Sequence, residues 1–166
     1  MDPSGMVIER LGDIEEVSAS ADLDSVVALE ATSFTNPWTR DMLLRELRQS
    51  DVARVYVLRL PGYRVAAFCA CWVIFDEVHI NTIAVEPELR RQGLAGALMR
   101  HLLADTAQQG ARRALLEVRR SNVPAQRLYE SLGFIVAGVR RDYYTQPEED
   151  ALLLVKENLG ANSAAS

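Results

Sequence analysis

Apolar and polar positions alternate along this chain in short runs of two different periods. Arg54 to Leu60 and Val65 to Phe75 read as strands, and Pro61-Gly62-Tyr63 between them is a hairpin signal. Asp76-Glu77 interrupts the run, and a further strand continues through Val85. Leu94, Leu98 and Leu102 then recur every four residues, flanked by Met99 and Leu103. This stripe predicts a long helix from near Gly93 that stops at Gly110. Arg113 to Arg119 predicts another strand. Ser121 or Asn122 can cap the helix that follows, with Pro124 in its first turn, Ala125, Tyr129 and Leu132 on one face, and Gly133 past its end. Strands around Phe134 to Val139 and Ala151 to Lys156 close the pattern.

Upstream, Ile14 to Ser20 reads as a first strand. Asp22 reads as the cap of a short helix carrying Leu23, Val26 and Val27, and Thr39 as the cap of a second through Leu43, Leu44 and Leu47. Phe34-Thr35-Asn36-Pro37-Trp38 is the loop between them. Residues 1–12 read as a flexible leader, 13–159 as one domain and 160–166 as a disordered tail. Hairpin-linked strands with about four interspersed helices place the chain in the α/β (α+β) class.

Composition narrows the partners. A chain of 166 residues is sized for one domain with a real core. Its net charge of −5 argues against direct nucleic-acid binding and suits a cationic peptide. No apolar run reaches the ~20 residues a membrane helix needs, and Met1 to Gly12 lacks the pattern of a secretory signal. A cytoplasmic protein without a membrane partner is expected. Cys69 and Cys71 share one face of a strand, a spacing that fits neither zinc nor a relaxed disulfide.

The densest chemistry lies in Asn81 to Gly96. A β-branched run stops at Pro87, and Arg90-Arg91-Gln92-Gly93-Leu94-Ala95-Gly96 leads straight into a helix. A helix start offers unpaired N–H groups and the positive end of the dipole, and two arginines beside it point to phosphate. The spacing is neither that of a P-loop nor the dinucleotide fingerprint. Glu117, in the apolar strand Leu116-Glu117-Val118-Arg119, is an exposed strand carboxylate or a proton acceptor for an amine. Tyr129 is a packed core tyrosine or a proton donor. Tyr143 and Tyr144, beside Arg140 and Arg141, line a cleft or sit at a sheet edge. His79 and His101 are lone histidines for which structural or surface roles are expected, and no metal is implied.

These segments, taken in order, resemble the GNAT acetyltransferases, and among them the ribosomal-protein alanine N-acetyltransferases. The likeness spans about Asp22 to Lys156. It is carried by Phe34…Pro37-Trp38, Asn81 to Val85, Arg90 to Gly96, Leu116 to Arg119 with Ser121-Asn122, Ala125-x-x-Leu128-Tyr129-x-x-Leu132-Gly133-Phe134, and Arg140-Arg141-x-Tyr143-Tyr144…Glu149-Asp150-Ala151. The resemblance implies the GNAT fold, a central mixed twisted β-sheet whose middle strands splay apart and hold acetyl-CoA. It implies that the pyrophosphate meets the N–H groups of Gln92, Gly93, Leu94, Ala95 and Gly96, with Arg90 and Arg91 adding charge. The pantetheine arm would run along Ile83, Ala84 and Val85, with Asn122 steadying it. Glu117 would be the base and Tyr129 the acid, and Phe34, Trp38, Tyr143 and Tyr144 would wall the groove for a peptide. The activity implied is acetylation of the N-terminal alanine of a small-subunit ribosomal protein; the sequence does not fix the oligomeric state, and a monomer is the default expectation. Two other readings stand beside it: a GNAT enzyme acting on lysine side chains or a small amine, and an acyl-CoA-binding sensor without chemistry.

Overall fold

A computed structural model describes residues 5–12, 16–17, 20–34, 37–48 and 51–160. Seven strands form one sheet in the order β1-β2-β3-β4-β5-β7-β6. They are β1 (Val7–Arg10), β2 (Ala53–Leu60), β3 (Tyr63–Ile74), β4 (Glu77–Val85), β5 (Arg113–Arg119), β6 (Ile135–Tyr144) and β7 (Glu149–Lys156). Every neighbouring pair is antiparallel except β4 with β5. That one parallel pair needs a crossover, which α3 (Leu94–Gln108) provides. The other helices are α1 (Ala21–Ser33), α2 (Arg40–Leu47) and α4 (Val123–Ser131).

The central strands β2 and β3 are buried on both faces, which explains why they read as nearly continuous apolar runs. On one face Leu98, Met99 and Leu102 of α3 pack with Tyr56, Leu58, Val78, Leu116 and Tyr129. On the other, Leu23, Val26 and Leu29 of α1 and Leu43 and Leu47 of α2 pack with Val55, Val57, Phe68 and Ala84. Each fully buried leucine contributes ~1.5–3 kcal/mol, so the α3 stripe alone anchors the crossover firmly.

The chain start departs from expectation. The leader assigned to residues 1–12 contains β1, an edge strand paired in register from Val7↔Arg59 to Arg10↔Tyr56. Its short length and largely exposed positions hid it, because an edge strand is held by backbone ladder bonds rather than by an apolar face. Where a strand was expected over Ile14 to Ser20, Glu16 and Val17 are helical, and residues 13–15 and 18–19 lie outside the described residues. Ser20, not Asp22, occupies the N-cap of α1. Asp22 instead meets the Arg59 guanidinium at 2.7 and 3.0 Å, which holds its carboxyl below the usual range. Thr39 caps α2 as expected, its hydroxyl accepting from the Met42 N–H at 3.2 Å. Phe75 leaves β3 for the turn, at φ +55 and 96 % exposed. β6 runs on to Tyr144, beyond the strand expected there. Residues 161–166, on which most of the expected tail falls, lie outside the described residues.

Candidate active site

The site begins where β4 and β5 part. Their parallel pairing runs from Glu77↔Arg113 to Ile80↔Leu116 and ends there. β4 continues to Val85 along β3, and β5 continues to Arg119 along β7. The cause is local. Ala70 pairs with Thr82 and Cys71 with Ile80, so Asn81 is an extra residue that bulges β4 and bends it away. The facing edges of residues 81–85 and 117–119 are left without each other, an opening whose backbone groups call for a ligand.

One wall is built from backbone. A short 3-10 turn, Pro87–Leu89, follows β4. Arg90 then folds back so that its Nε donates to the Val85 carbonyl at 3.1 Å, tying the turn to the strand end. Arg91 and Gly93 take positive φ, +65 and +82, and reverse the chain in two steps. The first helical bond of α3 is from the Ala97 N–H to the Gly93 carbonyl, 3.1 Å. No side chain caps this end, so the N–H groups of Leu94, Ala95 and Gly96 form an unpaired first turn at the positive pole of a 15-residue helix. Gly96 also lets α4 close in: a Cβ there would sit 3.5 Å from Leu128 Cδ1. Asn122 caps α4, its side-chain oxygen accepting from the Ala125 N–H at 3.2 Å.

The other wall is built from side chains. Leu116 and Val118 point to the α3–α4 face, so Glu117 between them points to the opposite one. Val78 and Ile80 likewise leave His79 on the Glu117 side. His79 stands opposite Leu115, two residues from Glu117. Its Nε2 lies 2.7 Å from Glu117 Oε2, while Arg140 Nε is 3.4 Å from Oε1. The Glu117 side chain is only 8 % exposed, that of His79 26 %. The hydrogen bond from His79 is the main reason the Glu117 carboxyl lies below its usual range, with the Arg140 charge adding to it against burial. Trp72 presents its ring edge-on to His79 at 5.8 Å and donates its Nε1–H to Glu46 at 2.6 Å.

Tyr129 approaches from the α3–α4 face. It is 6 % exposed and edge-on to Phe134 at 6.0 Å. Burial pushes its hydroxyl far up, so it stays protonated. Glu117 and Tyr129 thus lie on opposite faces of the sheet.

Tyr143 and Tyr144 are consecutive, yet their rings meet at 5.0 Å and 90°. The irregular β6–β7 register and Asp142 at φ +50 bring them together. The Arg119 guanidinium lies 4.4 Å from the Tyr144 ring centre and that of Arg140 5.9 Å from Tyr143. Burial, then Tyr143 and Glu117, push the Tyr144 hydroxyl up to about 12. Glu149 takes the Ser121 N–H at 2.6 Å and the Ser121 hydroxyl at 2.9 Å. It braces the β5–α4 turn rather than facing outward. Phe34 is exposed and Trp38 half-buried on the α1–α2 core; Thr35 and Asn36 between them lie outside the described residues.

The structure therefore brings Glu117, Tyr143 and Tyr144 together around Arg140. It adds His79, which sequence reasoning set aside. His101 takes the structural role expected of it, edge-on to Tyr56 at 5.8 Å. The signal for His79 was a polar residue inside an apolar strand. Its partner depended on the β4–β5 register, which no local pattern reveals.

Comparison with known proteins agrees with this architecture. The profile of the Acetyltransferase (GNAT) family matches residues 23–134. A Bacillus subtilis (strain 168) protein provisionally named ribosomal protein bS18-alanine N-acetyltransferase is 41% identical over 133 residues, 80% of this chain and 87% of that one. The ribosomal protein bS18-alanine N-acetyltransferase of Escherichia coli (strain K12) is 36% identical over 137 residues, 81% and 90% of the two chains. The crystal structure of the ribosomal-protein-S18-alanine N-acetyltransferase from Escherichia coli matches with a TM-score of 0.80 at 34% identity, over 92% of this chain and 94% of that one.

Proposed function

This chain belongs to the GNAT acetyltransferase family, among the ribosomal-protein alanine N-acetyltransferases, and we propose that it moves an acetyl group from acetyl-CoA to the free α-amine of an N-terminal alanine on a small-subunit ribosomal protein. The observation that carries this reading is the β4–β5 opening, with a backbone anion cradle on one wall and proton-handling side chains on the other.

The residues present fit acetyl-CoA. Unpaired amides from Leu94 to Gly96, with Gln92 and Gly93 before them and Arg90 and Arg91 beside them, suit a pyrophosphate. The free edge at Ile83, Ala84 and Val85 suits an amide-bearing arm that pairs like an added strand, with Asn122 beside it. Bound there, acetyl-CoA supplies an activated thioester. The chain does the rest. The α-ammonium of a peptide has a pKa of ~8 and must lose a proton to attack. The Glu117 carboxylate and the imidazole it holds stand where that proton can go. N–H groups on the open edge near Ile83 can meet the carbonyl oxygen as it gains charge. Tyr129, buried and protonated, gives its proton to the leaving sulfur. Phe34, Trp38, Tyr143 and Tyr144 wall the groove for the peptide. No described helix is long and apolar enough to cross a membrane. The working form is a cytoplasmic monomer that uses no metal and binds no nucleic acid directly.

The test is acetyl transfer to a short peptide beginning Ala-Arg, followed by mass mapping. One acetyl group on the α-amine is expected, and none on a peptide acetylated beforehand. Acetylation of internal lysines without preference for the α-amine would sink the alanine reading. Tight acetyl-CoA binding with no CoA release on any amine would mark a sensor instead.

A further inference from the structure

Both carboxylate oxygens of Glu117 are engaged, Oε2 with His79 at 2.7 Å and Oε1 with Arg140 at 3.4 Å. The carboxylate is also the more buried partner, 8 % exposed against 26 % for His79. A group so enclosed is poorly placed to touch a peptide amine itself. With the Nε2–H of His79 donating to the carboxylate, the lone pair of the ring sits on Nδ1. Trp72 packs edge-on against the ring and is itself fixed through Glu46, so the imidazole is held from two sides. From the geometry of these side chains we propose that His79, oriented by Glu117, is the group that takes the proton from the acceptor's α-ammonium. This rests on the function proposed above and names the proton acceptor within it.

The arrangement follows the logic of a carboxylate that sets an imidazole's tautomer and stabilises its cation without becoming protonated. The ammonium sheds two protons in all. The first passes through His79 Nδ1 to solvent and leaves a neutral amine. The second is lost as the N–C bond forms and the C–S bond breaks, and it balances the one that the departing sulfur takes from Tyr129. The charged and titratable groups around the pair are Arg140, Tyr143 and Tyr144 from β6, with Glu46 of α2 behind Trp72. Glu117 thus sits between His79 and the Arg140 guanidinium.

The experiment uses His79→Gln, His79→Ala and Glu117→Gln, each checked for folding by circular dichroism and for acetyl-CoA binding. His79→Gln should lower kcat by about 10²-fold or more with the KM for acetyl-CoA within about threefold. Added imidazole should restore part of the His79→Ala activity in proportion to its unprotonated fraction. In 15N NMR spectra without substrate, wild-type His79 should carry its proton on Nε2, and Glu117→Gln should mix the tautomers, since an amide can donate to Nε2 as well as accept from it. A folded His79→Gln with kcat within about threefold of wild type overturns the inference. So does a folded His79→Ala that imidazole cannot rescue, or a His79 tautomer unmoved by Glu117→Gln. A wild-type protein that acetylates no amine sinks the proposed function; an active wild type matched by His79→Gln sinks only the role of His79.

Discussion

The two walls of the opening are made of different material. The cradle wall is one contiguous stretch, Arg90 to Gly96, and its working groups are backbone amides set by two positive φ angles. The opposite wall collects side chains from separate strands: Trp72 from β3, His79 from β4, Glu117 from β5, and Arg140, Tyr143 and Tyr144 from β6. A backbone wall tolerates changes of side chain but not of dihedral angle. A side-chain wall depends on identity, because each member fixes the charge state or orientation of the next. Substitutions on the two walls should therefore fail in different ways.

The largest effect belongs to the side-chain wall. Glu117→Gln keeps the shape but removes the charge that faces His79 and Arg140. A loss of about 10³-fold in kcat is expected, with acetyl-CoA affinity unchanged, and steady-state kinetics with calorimetric binding checks both. A smaller loss, about 10²-fold, is expected for Tyr129→Phe. A thiolate leaves well on its own, its conjugate acid having a pKa of only ~8.5, and water can protonate it in part. If Tyr129→Phe proved the more damaging, the order of the two walls in the chemistry would be wrong.

How far each wall is legible in the sequence follows from the same contrast. The cradle could be read because its cause is local: a β-branched run, a glycine turn and an amphipathic stripe within Asn81 to Leu102. β5 coincides with the strand expected at Arg113 to Arg119, and the caps at Thr39 and Asn122 hold as read. What stayed hidden depends on pairing between distant segments. The Asn81 bulge, the His79–Glu117 bond and the tyrosine pair all require strand register, which is set by the folded sheet. β1 was hidden for a related reason, since a four-residue edge strand is too short to carry a period of its own. The family resemblance supplied roles for Glu117 and Tyr129 but said nothing of His79.

The floor beneath the side-chain wall offers a measurement of stability. Glu30 of α1 is 5 % exposed beside Trp38 and Phe68, and its Oε2 has no hydrogen-bond partner among the described residues. Burial raises its carboxyl from the ordinary 4.5 to about 7, against the Trp38 N–H that lowers it. The folded state then holds this proton more tightly than the unfolded one. Its contribution to stability is complete below pH ~4.5, falls as pH rises to about 7, and is lost above that. The difference between these limits is ~3 kcal/mol. Glu30→Gln removes the titration. Its stability relative to wild type, by urea denaturation, should increase from pH 5 to pH 8; a constant difference would place a compensating cation beside Glu30.

The smallest effect tests the backbone wall most cleanly. Gly93 holds φ +82 and ψ 9, and a Cβ built there meets nothing within 4 Å. Gly93→Ala therefore adds no clash and changes only the preference of the backbone, by ~1–2 kcal/mol per residue in the left-handed region. That strain acts on the turn that aims the Leu94, Ala95 and Gly96 amides. The KM for acetyl-CoA should rise about fivefold to tenfold while kcat stays put, since ~1.4 kcal/mol is tenfold in affinity. Asparagine tolerates this conformation better than alanine, and valine worse. KM should therefore climb from Gly93 through Gly93→Asn and Gly93→Ala to Gly93→Val, an order that follows φ tolerance and not side-chain size or polarity. An order that followed size would mean that the ligand fills the space beside Gly93, and that this wall too reads side chains.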